Sequence, residues 1–144
     1  MTVPRDDNAG GSDAPAAPLA SAGRPLRVLV VDDHLLARCS IRRQLLELPD
    51  LQVVGEATDG FEAVALAKTL SPDLVFMDIS MPGLNGIEAT RRVTLVSPRV
   101  RVIILSSHDG LRDTALAAGA AGYLLKGQTI QNLAAAIQQV FENS

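Results

Sequence analysis

The sequence is poor in the residues that build disulfide scaffolds, zinc clusters and base-stacking surfaces. It contains one cysteine, Cys39, which excludes an intramolecular disulfide framework and a cysteine-based zinc cluster. Tryptophan is absent and aromatic residues make up only 3% of the chain, which argues against base-stacking platforms and against a flavin cradle of aromatic rings. No apolar run approaches the roughly 20 residues that a membrane span needs.

A strong charge of either sign is also missing. Thirteen basic and sixteen acidic residues leave a net charge of −3, so electrostatics gives no reason to expect nucleic acid or an anionic membrane on the surface as a whole. The N-terminus lacks the short apolar core of a secretory signal. These absences predict a cytoplasmic protein without a membrane partner.

The first 25 residues differ in composition from the rest of the 144-residue chain. Alanine, proline, glycine and serine dominate them, and such a segment cannot bury enough apolar surface to offset its conformational entropy. We interpret residues 1–25 as a disordered tail. Residues 26–142 then form one domain, which is long enough to bury a core.

Short apolar runs alternate with helical stripes throughout that domain. Five short apolar runs predict strands at residues 27–31, 51–54, 74–77, 102–105 and 121–125, and the first is rich in β-branched residues. The segments between and after them predict helices at about residues 35–46, 63–70, 87–96, 111–118 and 130–141. This alternation predicts an α/β fold, a doubly wound parallel sheet with helices on both faces.

In such sheets the functional crevice lies beyond the carboxyl ends of the strands. Asp32 and Asp33 follow the first predicted strand, Asp78 the third, Ser106 the fourth and Lys126 the fifth. Each residue alone could be a helix cap or a turn residue. Turn chemistry does not require one cation and one hydroxyl beside three acids, so the joint arrangement predicts a site.

The residue types at this edge suggest phosphoryl transfer. Crowded carboxylates raise each other's pKa unless a cation neutralises them, and oxygen ligands without histidine or cysteine nearby favour Mg²⁺ over Zn²⁺. A carboxylate can attack phosphorus to give an aspartyl-phosphate. Lys126 would then neutralise the phosphoryl oxygens, and Ser106 would donate a hydrogen bond to one of them.

The order and spacing of these segments resemble the receiver domain of bacterial two-component response regulators. The matching stretches are residues 30–34 (VVDDH), 73–86 (DLVFMDISMPGLNG), 103–106 (IILS) and 119–126 (GAAGYLLK). The Asp-Asp-His opening and the Gly-Tyr-Leu-Leu-Lys close resemble the NarL/FixJ subgroup, whose members usually carry a helix-turn-helix DNA-binding domain after the receiver. The resemblance implies a receiver domain at residues 26–142 with the flavodoxin-like strand order 2-1-3-4-5.

The resemblance also implies a role for each acid. Asp78 would be the phosphoacceptor. Asp33 and Asp78, with the backbone carbonyl of Ser80, would bind Mg²⁺ directly, and Asp32 would contribute through a water.

The remaining roles concern the phosphoryl group and the switch. Lys126 would bridge Asp78 and later the phosphoryl group, Ser106 would follow a phosphoryl oxygen, and Tyr123 would change rotamer with it. Ser80 and His108 occupy the two variable positions that tune the reaction rate in this family. Gly127 stands where many receivers have proline.

The implied function is a signalling switch that accepts a phosphoryl group from a sensor histidine kinase and catalyses only its own phosphorylation and dephosphorylation. Phosphorylation would change partner binding or homodimerisation and so regulate transcription, with DNA contacted only through a further domain not present in this chain. One alternative is a stand-alone receiver that acts as a phosphorelay or adaptor protein. Another is a haloacid-dehalogenase-like phosphohydrolase, but that chemistry resembles Asp-x-Asp, whereas Asp32 and Asp33 are adjacent.

Two histidines and three arginines near these motifs have simpler interpretations. His34 and His108 could ligate metal, but neither has a second ligand at metal spacing, so we interpret them as solvent-facing loop or helix-start residues. Arg38, Arg42 and Arg43 form a basic helix face, which we interpret as solvated. Docking to a kinase or a partner receiver is the alternative for that face.

Overall fold

Strands and helices alternate along the chain in the predicted order. The computed structural model describes residues 24–142, so the first 23 residues of the expected tail lie outside the described part. The elements are β1 (Leu26–Val31), α1 (Leu35–Leu46), β2 (Leu51–Ala57), α2 (Gly60–Leu70), β3 (Leu74–Asp78), α3 (Gly86–Val96), β4 (Arg101–Ser106), α4 (Arg112–Ala117), β5 (Gly122–Leu125) and α5 (Ile130–Glu142).

The five strands form one parallel sheet in the order β2-β1-β3-β4-β5. This order confirms the doubly wound, flavodoxin-like fold. The chain reverses its direction of travel across the sheet between β1 and β3, and ligands of such sheets bind outside the strand ends at that reversal. The ends of β1 and β3 are therefore the place where the fold opens a crevice.

Side chains of alternate residues along the strands build two separate cores. One core lies under α2, α3 and α4, and its buried strand residues are Leu29, Val31, Ala57, Val75, Met77, Val102, Ile104 and Tyr123. The other lies under α1 and α5, and its buried strand residues are Leu26, Val28, Val30, Leu74, Phe76, Ile103 and Leu105. Both faces of the central strands are buried, which explains why their sequences are nearly continuous apolar runs.

The edge strand β2 and the helix α4 differ in length from the prediction. β2 continues to Ala57, past a register irregularity opposite Val28 and Leu29, because its pairing with β1 persists where the apolar pattern stops. α4 ends one residue earlier than predicted, and Gly119 follows with a φ of 109°. A side chain at that position would also lie within about 3.1 Å of Thr94 Oγ1, so glycine fits the turn on both grounds.

Asp73 ties the amino ends of three strands together. Its carboxylate accepts hydrogen bonds from the Arg24 guanidinium at 3.0 and 3.1 Å and from the Arg27 N–H at 2.8 Å. Its main chain bonds to the Arg27 carbonyl at 2.8 Å and to the Arg101 N–H at 3.0 Å. Arg24 falls within the expected tail, and among the described residues it is paired with the domain.

These contacts set the pKa of Asp73. Burial alone would raise that pKa, but the hydrogen bonds from Arg24 and Arg27 outweigh burial and leave it below its ordinary value of 3.8. The ionised form is therefore favoured in the fold. Between residues 24 and 142, no helix is long and apolar enough to cross a membrane.

We expect Asp73→Asn to lower the free energy of unfolding by about 1 kcal/mol at pH 7, because the charged acceptor is lost. Since folding lowers the pKa of Asp73, its contribution is present above the ordinary pKa and is lost as the pH falls through the lowered value. The free energies of unfolding of the parent and the variant, measured by urea titration, should therefore become equal at acidic pH. Arg24→Gln is the control and should lose less, because the Arg24 side chain is half exposed. Equal stability of Asp73→Asn and the parent at pH 7 would contradict this role.

Candidate functional site

Three acids and one lysine meet at the carboxyl edge of the sheet. Asp32 and Asp33 follow β1, Asp78 is the last residue of β3, and Lys126 follows β5. Lys126 Nζ lies 2.8 Å from Asp78 Oδ1 and 3.1 Å from Asp32 Oδ2. The ammonium group thus bridges carboxylates from two adjacent strands, and the site predicted from the strand ends is assembled in the fold.

Burial and charge shift the pKa values of the bridged pair. Burial is the main cause that raises the pKa of Asp78, the charges of Asp32 and Asp33 add to it, and the hydrogen bond from Lys126 only partly opposes it. Burial acts to lower the pKa of Lys126, but its hydrogen bonds with Asp78 and Asp32 outweigh burial and raise that pKa. Lys126 therefore stays charged at neutral pH.

Two carboxylate oxygens in the site have no hydrogen-bond donor. Of the buried side-chain polar atoms in the described residues, Asp33 Oδ1 and Asp78 Oδ2 lack a hydrogen-bond partner. Both oxygens of Asp32 are engaged, since Oδ1 accepts the His34 N–H at 2.9 Å and Oδ2 accepts Lys126. A buried oxygen without a donor is costly. A hard cation with oxygen ligands, such as Mg²⁺, fits between these two carboxylates.

His34 lies closer to the acids than its sequence context suggests. It caps α1 as the residue directly before Leu35 and its side chain is 70% exposed, so its predicted place at a helix start is confirmed. Its Nδ1, however, lies 3.1 Å from Asp33 Oδ1 and 3.3 Å from Asp32 Oδ1. The expectation of a site without nearby histidine is therefore wrong. The hydrogen bond from the His34 N–H to Asp32 Oδ1 explains why residue 34 lies close to the acids.

The loop after β3 packs against Asp78 through a glycine. The Gly86 N–H donates to the Ile79 carbonyl at 2.9 Å. A Cβ at Gly86 would lie 2.0 Å from the Asp78 carbonyl oxygen, so only glycine permits this approach. Asn85 begins α3, and its Oδ1 accepts the Glu88 N–H at 2.9 Å. Ser80 lies in the same loop and is exposed.

The two predicted switch residues are connected through the main chain of His108. Ser106 Oγ accepts the His108 N–H at 3.0 Å, and the Tyr123 hydroxyl donates to the His108 carbonyl. Ser106 and Tyr123 are buried, whereas His108 is exposed. The Arg112 guanidinium carbon lies 5.7 Å from the centre of the Tyr123 ring, and Nη2 donates to the Tyr123 carbonyl at 3.2 Å. The resemblance implies the switch roles of Ser106 and Tyr123, but it gives no indication that the His108 main chain connects them.

Arg38 supports the acidic turn from α1. Its Nη1 donates to the Asp32 carbonyl at 2.8 Å, and its Nε donates to Glu56 Oε1 at 3.0 Å. Arg42 Nη1 donates to the other oxygen of Glu56 at 2.6 Å. The interpretation of a solvated basic face is therefore wrong for Arg38, whose side chain is only 12% exposed. Glu56, an acid in the edge strand β2, pairs with Arg38 and Arg42. The sequence analysis did not consider Glu56 and therefore missed these contacts.

A groove of about 300 Å³ leads from Asp32 and Lys126 between α1 and the segment before α5. Gln44 Nε2 donates to the Gln128 carbonyl at 2.9 Å and ties its two walls together. Gly127, which also lines the groove, has a φ of 87°. Proline cannot adopt that value, so the conformation after Lys126 explains why glycine suits this position.

Comparisons with known proteins agree with this geometry. A family model described as the response regulator receiver domain matches residues 28–138. The response regulator GacA of Pseudomonas aeruginosa is 43% identical over 118 residues, which cover 81% of this chain and 55% of GacA. The chain thus spans about half the length of the curated relatives it matches.

Solved structures give the same result. The receiver domain of the putative response regulator NarL from Mycobacterium tuberculosis is 36% identical with a TM-score of 0.74, over 83% of this chain and 95% of that chain. A chain of the CheX–CheY–BeF₃–Mg²⁺ complex from Borrelia burgdorferi is 27% identical with a TM-score of 0.77, over 83% and 91% of the two chains. From the strand order, the acid and lysine cluster and these similarities together, we conclude that the chain belongs to the family of response regulator receiver domains.

Proposed function

We propose that this domain is a phosphorylation-dependent switch that accepts a phosphoryl group on Asp78 from the phosphohistidine of a sensor histidine kinase. The observation that carries the proposal is the asymmetry of the Asp78 carboxylate. Oδ1 is held by Lys126 at 2.8 Å, whereas Oδ2 is buried without a hydrogen-bond partner. One oxygen is anchored and the other is available as a nucleophile.

In the proposed reaction, Asp78 Oδ2 forms a bond to phosphorus as the bond from phosphorus to the kinase imidazole breaks, and the imidazole leaves. The product is an acyl phosphate on Asp78. Lys126, already 2.8 Å from Asp78, neutralises phosphoryl oxygens as a positive point charge. The Ser106 hydroxyl donates a hydrogen bond to one of these oxygens.

Asp33, Asp78 and the backbone carbonyl of Ser80 would hold Mg²⁺, with Asp32 acting through an intervening water. The partnerless Asp33 Oδ1 supports the direct role of Asp33, and the two engaged oxygens of Asp32 support its role through a water. Asp78 would offer the ion its Oδ1, which leaves Oδ2 to attack phosphorus. When bound, the ion supplies electrostatic stabilisation of the phosphoryl oxygens. The structural relative whose complex contains BeF₃ and Mg²⁺ is a further support for this cofactor.

The proposed switch passes through the loop after β4. If the Ser106 hydroxyl turns to a phosphoryl oxygen, it no longer accepts the His108 N–H in its present position. Because the Tyr123 hydroxyl donates to the carbonyl of the same residue, Tyr123 and α4 respond together. The surface of α4, β5 and α5 would then change its affinity for a partner or a second receiver. Ser80 and His108 are both exposed, as rate-tuning positions at the entrance would be.

The proposed effect of the switch on transcription is based on the relatives of this chain. GacA is described as a response regulator and is nearly twice the length of the matched region. We therefore propose a cytoplasmic protein that regulates transcription and contacts DNA through a further domain. A stand-alone phosphorelay or adaptor receiver would use the same site chemistry and would differ only in its output.

Asp78→Asn should abolish phosphorylation by acetyl phosphate or phosphoramidate while the fold persists, because the substitution keeps the size of the side chain and removes the nucleophile. Intact mass spectrometry measures the added phosphoryl group. Asp73→Asn is the matched control, because Asp73 lies next to the opposite end of β3. We expect this variant to be phosphorylated on Asp78 at the parent rate. Labelling of Asp78→Asn at the parent rate would place the acceptor elsewhere.

Asp33→Ala should weaken Mg²⁺ binding more than Asp32→Ala does. A direct ligand contributes more than one that acts through a water, and loss of Asp33 should cost about tenfold or more in affinity. Calorimetric Mg²⁺ titration of both variants and the parent measures the difference. Equal losses of Mg²⁺ affinity in the two variants would contradict the proposal that Asp33 binds the ion directly and Asp32 through a water.

Ser106→Ala should remain phosphorylatable but lose the coupling to Tyr123. Amide chemical shifts of residues 107–126 with and without beryllofluoride, a phosphoryl mimic, report the response of the loop and of β5. We expect shifts at Lys126 in both proteins, but small shifts at His108 and Tyr123 in the variant. Full shifts at His108 and Tyr123 in Ser106→Ala would show that Ser106 is not the relay.

A further inference from the structure

Three dipeptides in the sequence join an aspartate or an asparagine to a glycine, and they are Asp59–Gly60, Asn85–Gly86 and Asp109–Gly110. In such a pair the glycine nitrogen can attack the side-chain carbonyl carbon of the preceding residue, because glycine has no Cβ that shields its nitrogen. The attack gives a cyclic imide. It requires the side chain and the following peptide group to turn towards each other, so the fold decides which of the three pairs can react.

The first pair is held in place at the start of α2. Asp59 Oδ1 accepts the Glu62 N–H at 2.8 Å, which fixes the side chain that would have to turn. Gly60 is buried, and a Cβ at this position would lie 2.5 Å from the Leu84 carbonyl oxygen. The peptide group between the two residues is therefore confined by the packing around it.

The second pair is held in the same way at the start of α3. Asn85 Oδ1 accepts the Glu88 N–H at 2.9 Å. The Gly86 N–H, which carries the nitrogen that would attack, donates to the Ile79 carbonyl at 2.9 Å, and Gly86 is buried. Both partners of the reaction are therefore engaged in hydrogen bonds that would have to break first.

The third pair lies in the loop of residues 107–111 between β4 and α4 and has no such restraint. Asp109 and Gly110 are both exposed. Within residues 24–142, neither the Asp109 carboxylate nor the Gly110 N–H has a hydrogen-bond partner. A Cβ at Gly110 would have no other atom within 4 Å, so the space around the peptide group is open. Exposed main chain without hydrogen bonds rearranges at a low cost in free energy.

We propose that Asp109–Gly110 is a modification site at which the aspartate isomerises spontaneously to isoaspartate. The Gly110 nitrogen forms a bond to Asp109 Cγ, and one carboxyl oxygen leaves as water together with the carboxyl proton and the amide proton. Water then adds to the main-chain carbonyl carbon of Asp109, and the bond from that carbon to the nitrogen breaks. The main chain now runs through Cγ, and the mass of the protein is unchanged.

The product has one more methylene in its main chain, directly after His108. The His108 N–H bonds to Ser106 Oγ, and its carbonyl accepts the Tyr123 hydroxyl. The loop joins two fixed elements, so a longer main chain within it displaces the peptide groups that make these bonds. Isomerisation therefore breaks the connection between Ser106 and Tyr123. This consequence rests on the proposed switch, whereas the modification itself does not.

Mass spectrometry with electron-transfer dissociation, after prolonged incubation of the purified chain in neutral buffer and proteolysis, locates isoaspartate at each pair. In the folded chain, isoaspartate should accumulate from Asp109 but not from Asp59 or Asn85. In urea all three residues should convert, because the contacts that protect two of them are lost. Conversion of Asp59 or Asn85 ahead of Asp109 in the folded chain would overturn the proposal. Conversion of Asp109 in urea only would overturn it as well.

Asp109→Glu is the matched variant, because the longer side chain would have to close a larger and less favourable ring. This variant should show no isomerisation in the loop and should be phosphorylated at the parent rate, since Asp109 lies outside the site of Asp78 and Lys126. Loss of main-chain rearrangement in Gly110→Ala, whose Cβ shields the attacking nitrogen, would agree with the mechanism. Isomerisation in Gly110→Ala as fast as in the parent would contradict it.

Amide chemical shifts on addition of beryllofluoride test the consequence for the switch. In the incubated parent, the shift of Tyr123 should be lost in the fraction of molecules that carries isoaspartate, while Lys126 still shifts. Incubated Asp109→Glu should retain both shifts. A full Tyr123 shift in the isoaspartate form would overturn the effect on the switch. Absence of a Lys126 shift in the fresh parent would instead overturn the proposed function, and the mass-spectrometric result would decide the modification independently.

Discussion

The ion pair between Lys126 and Asp78 is the interaction on which the site depends. Three carboxylates from β1 and β3 lie together at the carboxyl edge of the sheet, and two of them, Asp32 and Asp78, are buried. Buried carboxylates of like charge repel each other, and burial itself disfavours their charged forms. Lys126 reaches across from the end of β5 and touches both buried acids, which keeps them close without removing the repulsion entirely. Burial is the main cause that raises the pKa of Asp78, and the charges of Asp32 and Asp33 add to it, so Lys126 offsets these effects only in part.

A site of this kind needs a rigid frame, and the two cores supply it. The last residues of β1 and β3 before the acids, Val31 and Met77, belong to the core under α2, α3 and α4. Arg38 then fixes the carbonyl of Asp32, and the close approach of Gly86 fixes the carbonyl of Asp78. The backbone contacts at Asp32 and Asp78 thus help to hold the acidic side chains in a costly arrangement of charge.

The order of the strands and the position of the acids and the lysine could be predicted from the sequence, because both depend on the pattern of residue types along the chain. Continuous apolar runs give the buried strands, and strand ends in a parallel sheet bring Asp33, Asp78 and Lys126 to one edge regardless of detail. The orientation of His34 could not be predicted, because a single hydrogen bond from its own N–H to Asp32 Oδ1 sets it. The burial of Arg38 depends on Glu56, which lies in a part of β2 that has no strand pattern.

The connection between Ser106 and Tyr123 shows the same limit and has a physical consequence for the proposed switch. Both side chains are buried and both bond to the main chain of His108, one to its N–H and the other to its carbonyl. Packed interiors do not deform continuously, so a change at one of these bonds must move the peptide groups that carry both. Arg112 extends the connection to α4, since it stacks on the Tyr123 ring and bonds to the Tyr123 carbonyl. A displacement of less than 1 Å at Ser106 would therefore reach a surface helix through covalent and hydrogen-bonded links.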